Sequence, residues 1–450
     1  MNNSTSLPLD GLRVLDLSYV FAVPYIGALL ADLGAEVIKV EAPNRLDLTR
    51  GMAFARYADN DPGKEPWNRS GVFNVLNRGK KSIALDLNSD EGKKLFFELL
   101  QDTDILLENF TPRVMRKWNM QYEELSKIKP SLIMLSNTGY GSGGPWSEFP
   151  SQGTTLEATM GLTQYTGYRN DKPWKAGQSY PDFLATWSGL LAIFAALTYR
   201  KRSGLGQWID LGMYQVGSAL IAEAILQYQI DGTDIKRTGN EDPMHVPSNI
   251  YQAKGEDRWV AISINSDDEW RILAKLMNCP ELADDARYKN EFSRRERRDE
   301  IDKIVSSWTK DKDSMDLMMT LQNQGIACGP VFNSRDLLIN EQLRHRNFYQ
   351  MIEHKFDIGA RPIIGRPYCF RNRKIKISKP APGFGEDTQQ ILRYELNLKD
   401  LEIGALFRNR IVSDRPIDPG EAQSWNITEN LKLKTLVEFD VDYKKNFPRE

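Results

Sequence analysis

Leu12-Arg13-Val14-Leu15-Asp16-Leu17, followed by Ser18-Tyr19-Val20-Phe21-Ala22-Val23-Pro24, a run through Ala28, Leu29 and Leu33 to Gly34, and then Glu36-Val37-Ile38-Lys39-Val40, decides the fold. The first apolar run reads as a strand. Pro24 stands where proline is pre-organised for a helix start, and Gly34 suits the residue just past a helix end. Glu36 to Val40 reads as the next strand, so the stretch is one strand-helix-strand module.

The module recurs downstream. Ile83 to Leu87 reads as a strand, Gly92 to Leu100 as a helix, Asp104 to Leu107 as a strand, and a helical Tyr122 to Ile128 feeds the strand Leu132 to Ser136. This alternation predicts an α/β fold with a Rossmann-like parallel sheet, covered by helices, in a large domain. Such sheets bind ligands at the loops following their strands, here Tyr19 to Val23, Glu108 to Thr111 and Asn137 to Pro145. Trp187, Leu190, Leu191, Phe194 and Leu197 repeat at helical spacing before a basic last turn, Arg200-Lys201-Arg202, and Gly204. A second helix, Met213 to Gln229, is expected after a short strand, Gln207 to Leu211.

The texture changes later, with a strand Trp259 to Ile264 and a helix Asp268 to Met277. The charge run Arg294 to Asp302 reads as the solvated face of one helix. Residues 1–224 are therefore assigned to the large domain and 225–330 to a smaller α+β domain. Residues 331–450 return to the large domain, with strands at Met351 to His354 and Ile375 to Ile377 and a polar C-terminal tail. At 450 residues the chain exceeds what one core usually supports, which agrees with this division.

Composition excludes several classes. Lys plus Arg total 59 against 61 Asp plus Glu, so neither a nucleic-acid partner nor a polyanionic surface is indicated. Three scattered cysteines give no disulfide framework and point to a reducing, cytoplasmic setting. His245, His345 and His354 fall in no metal-binding spacing, so no metal site is expected. The apolar stretch Leu12 to Leu33 is interrupted by Asp16 and Asp32 and lacks a cationic leader, so it reads as neither signal peptide nor membrane span.

The first loop contains no GxGxxG, which disfavours a nicotinamide enzyme. Lys39, Arg45, Arg50, Arg78, Lys80, Lys81 and Arg113 instead lie near strand ends or loops. Each can pair with phosphate oxygens or serve as ordinary surface charge.

Leu9-Asp10-Gly11-Leu12-Arg13-Val14-Leu15-Asp16, Ala31-Asp32-Leu33-Gly34-Ala35-Glu36-Val37-Ile38-Lys39-Val40-Glu41 and Asn77-Arg78-Gly79-Lys80-Lys81-Ser82-Ile83 carry a resemblance. So do Glu108-Asn109-Phe110-Thr111-Pro112, Gly139-Tyr140-Gly141, Gly204-Leu205-Gly206-Gln207 and Gly325-Ile326-Ala327-Cys328-Gly329-Pro330-Val331. Together they resemble the family III CoA-transferases, the carnitine, formyl and benzylsuccinate CoA-transferase group, to roughly residue 395.

The resemblance implies an aspartate nucleophile at Asp182, which by sequence alone reads first as a helix N-cap, a role compatible with catalysis. It implies that coenzyme A passes from an acyl-CoA to a free acid through an aspartyl anhydride and an aspartyl-CoA thioester. Coenzyme A is then a substrate, with no tightly bound cofactor. Gly139, Tyr140 and Gly141 become oxyanion-hole candidates, although a glycine run also makes a plain turn. Phe21, Ala22, Lys39, Arg45, Arg78, Lys81, Asn109, Phe110 and Arg113 become candidate CoA contacts. An interlocked dimer, homomeric or with a homologous subunit, is implied as well.

One departure stands out: Gly153 occupies a position often acidic in the family, and Glu157 falls where a glutamine is usual. The rival readings are an α-methylacyl-CoA racemase, disfavoured because no histidine lies between Gly139 and Asp182, and a non-catalytic subunit of a heteromer. Tyr165, Tyr168, Trp174, Tyr180, Phe183 and Trp187 crowd the nucleophile, either as packing or as a pocket for an aromatic or bulky acceptor acid.

Overall fold

The computed structural model describes residues 6–51, 56–177 and 180–448, which form two compact units. The first comprises residues up to Leu162, Ala176–Ile225 and Leu338 onward; the second comprises Thr163–Lys175 and Leu226–Leu337.

In chain order the first unit contains β1 (Arg13–Asp16), α1 (Ala22–Asp32), β2 (Glu36–Glu41), β3 (Lys81–Leu85), α2 (Asp90–Gln101) and β4 (Ile105–Glu108). It continues with α3 (Pro112–Trp118), α4 (Tyr122–Ile128), β5 (Ile133–Thr138), α5 (Gly153–Thr159), α6 (Tyr180–Ser203) and β6 (Gln207–Gly212). Strands β1 to β6 pair in parallel in the order β3-β2-β1-β4-β5-β6, and Val412–Ser413 adds an antiparallel edge beyond β3. This is the Rossmann-like sheet read from the sequence.

The strands are continuous apolar runs because both faces are covered. Val14, Val37, Ile105, Leu107 and Leu135 face one core with α1 and α6, while Leu15, Ile38, Ile83, Leu106 and Met134 face the other. Gly34 stops α1 at φ +107, where a Cβ would stand 2.5 Å from Leu7 Cβ. Helix α6 is long and apolar enough to cross a membrane by composition. Ala185, Gly189, Leu190, Ile193 and Ala196 bury one of its stripes in the sheet core.

Several sequence expectations are corrected. The segment 163–175 groups with the second unit rather than the first. The expected helix Met213 to Gln229 is two helices, Met213–Leu220 and Ala222–Asp231. Ile375 to Ile377 form no strand. The charge run is divided between two helices, and Arg294 is buried against Asp267 and the carbonyls of Val246 and Tyr288. The polar tail is fastened by Lys444 and Tyr443 to Asp59, and by two hydrogen bonds between Trp425 and Asn60. In the second unit, three antiparallel strands, Ser248–Gln252, Trp259–Ser263 and Ala327–Pro330, pack Val260 and Ile262 against Trp270, Ile301 and Leu321.

Buried charge lies beside the carboxyl ends of β1 and β2. Lys80 Nζ reaches Asp16 Oδ2 at 2.6 Å, the Pro24 carbonyl at 2.7 Å and Asn77 Oδ1 at 2.8 Å. Arg50 holds Glu41 in a two-pronged pair at 2.8 and 2.9 Å and stacks on Phe73. Burial would raise the Asp16 and Glu41 carboxyls, but the neighbouring cations outweigh it and hold both low. Breaking one side of such a pair strands the other charge.

Replacing Lys80 with Met should therefore cost about 3–5 kcal/mol in urea unfolding. Gly27→Ala should destabilise the same spot, since its Cβ would lie 2.8 Å from Asp16 Oδ2. A Lys80→Met loss well under about 1 kcal/mol would contradict this account.

Candidate active site

In this strand order the connections reverse direction between β1 and β4, and the crevice at their carboxyl ends is where open α/β sheets take ligands. The loop Ser18–Phe21 lies at that crevice. Asn109, just past β4, spans it: its Oδ1 accepts the Tyr19 N–H at 2.9 Å, and its Nδ2 donates to the Tyr19 carbonyl at 2.7 Å. Lys39 Nζ donates to the Ser18 carbonyl at 2.6 Å and pairs with Asp47 at 3.4 Å. Asp47 accepts the Val20 N–H at 3.3 Å. Val20 has φ 73, a genuine outlier for a β-branched residue, and these side chains hold the backbone there.

The loop delivers Ala22, the first residue of α1, with its amide free to serve an anion. That amide favours the ionised form of the Asp182 carboxyl. Thr186 Oγ1 ties the two segments together, donating to the Ala22 carbonyl at 2.8 Å and the Asp182 carbonyl at 2.9 Å. Tyr25 on α1 packs edge-on against Phe183 and Trp187 at 6.0 and 6.2 Å. Helix α6 begins at Tyr180, so Asp182 sits inside its first turn rather than capping it.

The carboxyl of Asp182 is pushed up to about 6, chiefly by burial and further by the charge of Glu157, against the amides of Ala22 and of Asp182 itself. It is ionised at neutral pH yet more basic than an ordinary aspartate. Such a group, partly desolvated and held by amides, is suited to nucleophilic attack.

The profile of CoA-transferase family III matches residues 9–388. The chain belongs to this family. The chain is therefore an enzyme that moves coenzyme A between an acyl-CoA and a carboxylic acid. It is 37% identical over 405 residues to succinyl-CoA–D-citramalate CoA-transferase of Chloroflexus aurantiacus, covering 90% of this chain and 98% of that one. It is 31% identical to succinate–glutarate CoA-transferase of Agrobacterium fabrum, covering 86% and 95%. The solved structure of a CAIB/BAIF family protein from Brucella suis superposes with a TM-score of 0.78 at 30% identity, over 87% of this chain and all of that one.

The structure gathers Phe21, Ala22, Asn109, Phe110 and Asp182 around the first loop, the Phe110 ring packing at a tilt on that of Tyr19 with centres 5.8 Å apart. Arg45 and Arg113, which follow β2 and β4, are exposed. The other cations are placed differently. Lys39 is fully buried with its charge spent on Asp47. Arg78 is buried in a two-pronged pair with Asp32, at the far end of α1. Lys81 begins β3 and pairs with Glu36 and Glu395, away from the loop edge.

Gly139-Tyr140-Gly141 is pinned at the end of β5: Tyr214 N–H donates to the Gly139 carbonyl and Gln215 Nε2 to that of Tyr140. A cavity of about 250 Å³ opens at the ends of β4 to β6, lined by Glu108, Phe110, Arg116, Ser136, Ser142 and Trp208. A larger cavity, about 780 Å³, lies elsewhere, among Asp59, His354, Arg361 and the tail. Sequence reasoning missed Asp47 and Thr186, whose roles are to hold backbone and carry no motif.

Asn109→Ala removes both bonds to Tyr19 and should release the strained loop. Coenzyme A transfer should fall about 100-fold with the fold intact, the scale of a misplaced reacting group. Wild-type rates would show that the Asn109 clamp does not matter.

Proposed function

We propose that this enzyme transfers coenzyme A from succinyl-CoA to a short dicarboxylic acid, with Asp182 as the nucleophile. The observation that carries this reading is the placement of Asp182, half-buried in the first turn of α6 and tied to the start of α1 through Thr186. Relatives named for succinyl-CoA with citramalate, glutarate and mesaconate support the donor and the acceptor class.

In the first step a carboxylate oxygen of Asp182 bonds to the thioester carbon, the C–S bond breaks, and the charge departs on the CoA thiolate. The thiolate sulfur then bonds to the aspartyl carbonyl carbon, the anhydride C–O bond breaks, and the donor leaves as a carboxylate. The acceptor acid reverses both steps. We assign to the Ala22 amide, at the start of α1, the stabilisation of the charge that develops on the acylated form. The backbone of Gly139, Tyr140 and Gly141 is the second candidate source of donors. Around the coenzyme we assign Phe21, Ala22, Asn109 and Phe110 to the loop walls, and Arg45 and Arg113 to the phosphates. Lys39, Arg78 and Lys81 act within this scheme as structural ion pairs.

An aromatic acceptor has less support. Phe183 and Trp187 are engaged with Tyr25, and Tyr165 and Trp174 hydrogen-bond to Asp234 and Asp171 within the second unit. A relative named as an alpha subunit, succinyl-CoA–L-malate CoA-transferase of Chloroflexus aurantiacus, supports dimers with a homologous subunit alongside homodimers.

With succinyl-CoA as donor, citramalate, glutarate or mesaconate should be turned over in preference to aryl-substituted acids such as benzylsuccinate; the reverse order would reject the acceptor class. The rate of acylation should fall about tenfold per pH unit below a limb near 6, because only ionised Asp182 attacks and its carboxyl titrates at about 6. Asp182→Ala should cost at least about 10³-fold. A pH-independent rate from pH 5 to 8, or an active Asp182→Ala enzyme, would reject the nucleophile.

A further inference from the structure

The cavity of about 780 Å³ shares no lining residue with the loop Ser18–Ala22 or with Asp182, and its volume is that of a small-molecule site. One wall is the antiparallel hairpin of Tyr349–His354 and Gly359–Ile364, another is the segment around Asp59, and a third comes from the tail, between Ile427 and Phe447. The tail wall lies beyond residue 388, where the match to the family profile ends. It is fastened in place. Asp59 pairs with Arg361 at 2.6 Å and Lys444 at 2.7 Å and accepts the Tyr443 hydroxyl, while Asn60 exchanges two hydrogen bonds with the Trp425 backbone. Asp59 and Asn60 both stand at φ 58, a conformation that Asp and Asn take more readily than other side chains.

Most of the lining is apolar, and its charges are largely spent within the walls. Arg69 donates to the carbonyls of Asp61 and Phe356 at 2.9 and 2.6 Å, and Arg361 donates to the Tyr443 hydroxyl as well as to Asp59. Asp440 accepts from the Asp442 N–H and the Asn446 side chain. Arg56 lies over the Trp425 ring at 4.3 Å, and Glu438 is exposed. His354 differs from these. It is 8% exposed, and its Nδ1 is buried with no hydrogen-bond partner among the described residues. Burial, and after it the charge of Arg361, pushes the imidazole down to about 4, so the ring is uncharged at neutral pH. A buried ring nitrogen left unpaired is costly, and a neutral imidazole offers one donor and one acceptor.

We propose that this cavity is a second binding site, for an uncharged, mainly apolar small molecule whose single hydrogen-bonding group is met by His354. An anion would have to draw Arg69 or Arg361 away from partners they already hold. Coenzyme A and the dicarboxylic acids are disfavoured on the same ground.

The test titrates the full-length enzyme with aminoanthracene, an apolar fluorophore that carries one amino group. One saturable site per chain should appear, and saturating coenzyme A should leave it in place. Octanol should displace the fluorophore, and octanoate should do so at least about tenfold less well. His354→Phe keeps a ring but loses the hydrogen bond, and should weaken binding about tenfold. Val441→Trp, at a lining position 79% exposed and so of little consequence for folding, should obstruct the cavity and weaken binding by at least as much. Both variants should keep the wild-type rate of coenzyme A transfer. No binding to the wild type, displacement by coenzyme A, octanoate competing as well as octanol, or unchanged binding in either variant would overturn the proposal.

Discussion

One hydroxyl organises the site: Thr186 Oγ1 is shared between the carbonyls of Ala22 and Asp182 and so ties the start of α1 to the first turn of α6. The two segments it joins come from opposite sides of the active-site crevice. For them to meet, the chain leaving β1 must turn within a few residues and present its first helical amide to the partner helix. The turn is not relaxed, since it passes through Val20 at positive φ. It is held by Asn109, Asp47 and Lys39, each bonded to a backbone group of the loop. Beside that loop, Lys80 and Asp16 fix the end of β1 and the Pro24 carbonyl of α1. Buried ion pairs are expensive, and here they hold backbone that catalysis needs in one place.

The same geometry tunes the chemistry. A carboxyl taken out of water becomes more basic, and a stronger base is a stronger nucleophile toward a thioester carbonyl. The amides keep it ionised at working pH, so the gain in nucleophilicity is not lost to protonation. A partly dry site also protects the anhydride and thioester from water, without which their energy would be lost to hydrolysis rather than passed to the next acid. Fold and reaction therefore place the same demand on the loop between β1 and α1.

Much of the fold is legible in the sequence because a doubly covered sheet writes its strands as unbroken apolar runs. The strand read at Leu12 to Leu17 is observed at Arg13–Asp16, and the helix read at Gly92 to Leu100 is Asp90–Gln101. Asp182 is legible as a candidate nucleophile only through its motif, since the local pattern taken alone favours a cap. The cations were the hardest to place. Arg78 looks the same in sequence whether its partner is a phosphate or Asp32, and only the folded chain brings Asp32 to it. The tail gave no signal because Tyr443, Lys444 and Trp425 dock one at a time on Asp59 and Asn60, with no helical or strand period to reveal it. Glu157 stands out in the sequence as a departure from the family pattern, but only the fold shows that it is buried.

The most direct measurement is peptide mapping by mass spectrometry after mixing the enzyme with succinyl-CoA and trapping with hydroxylamine or borohydride. The account predicts a modification confined to the peptide that contains Asp182. A modification on another residue, or turnover with none at Asp182, would contradict it.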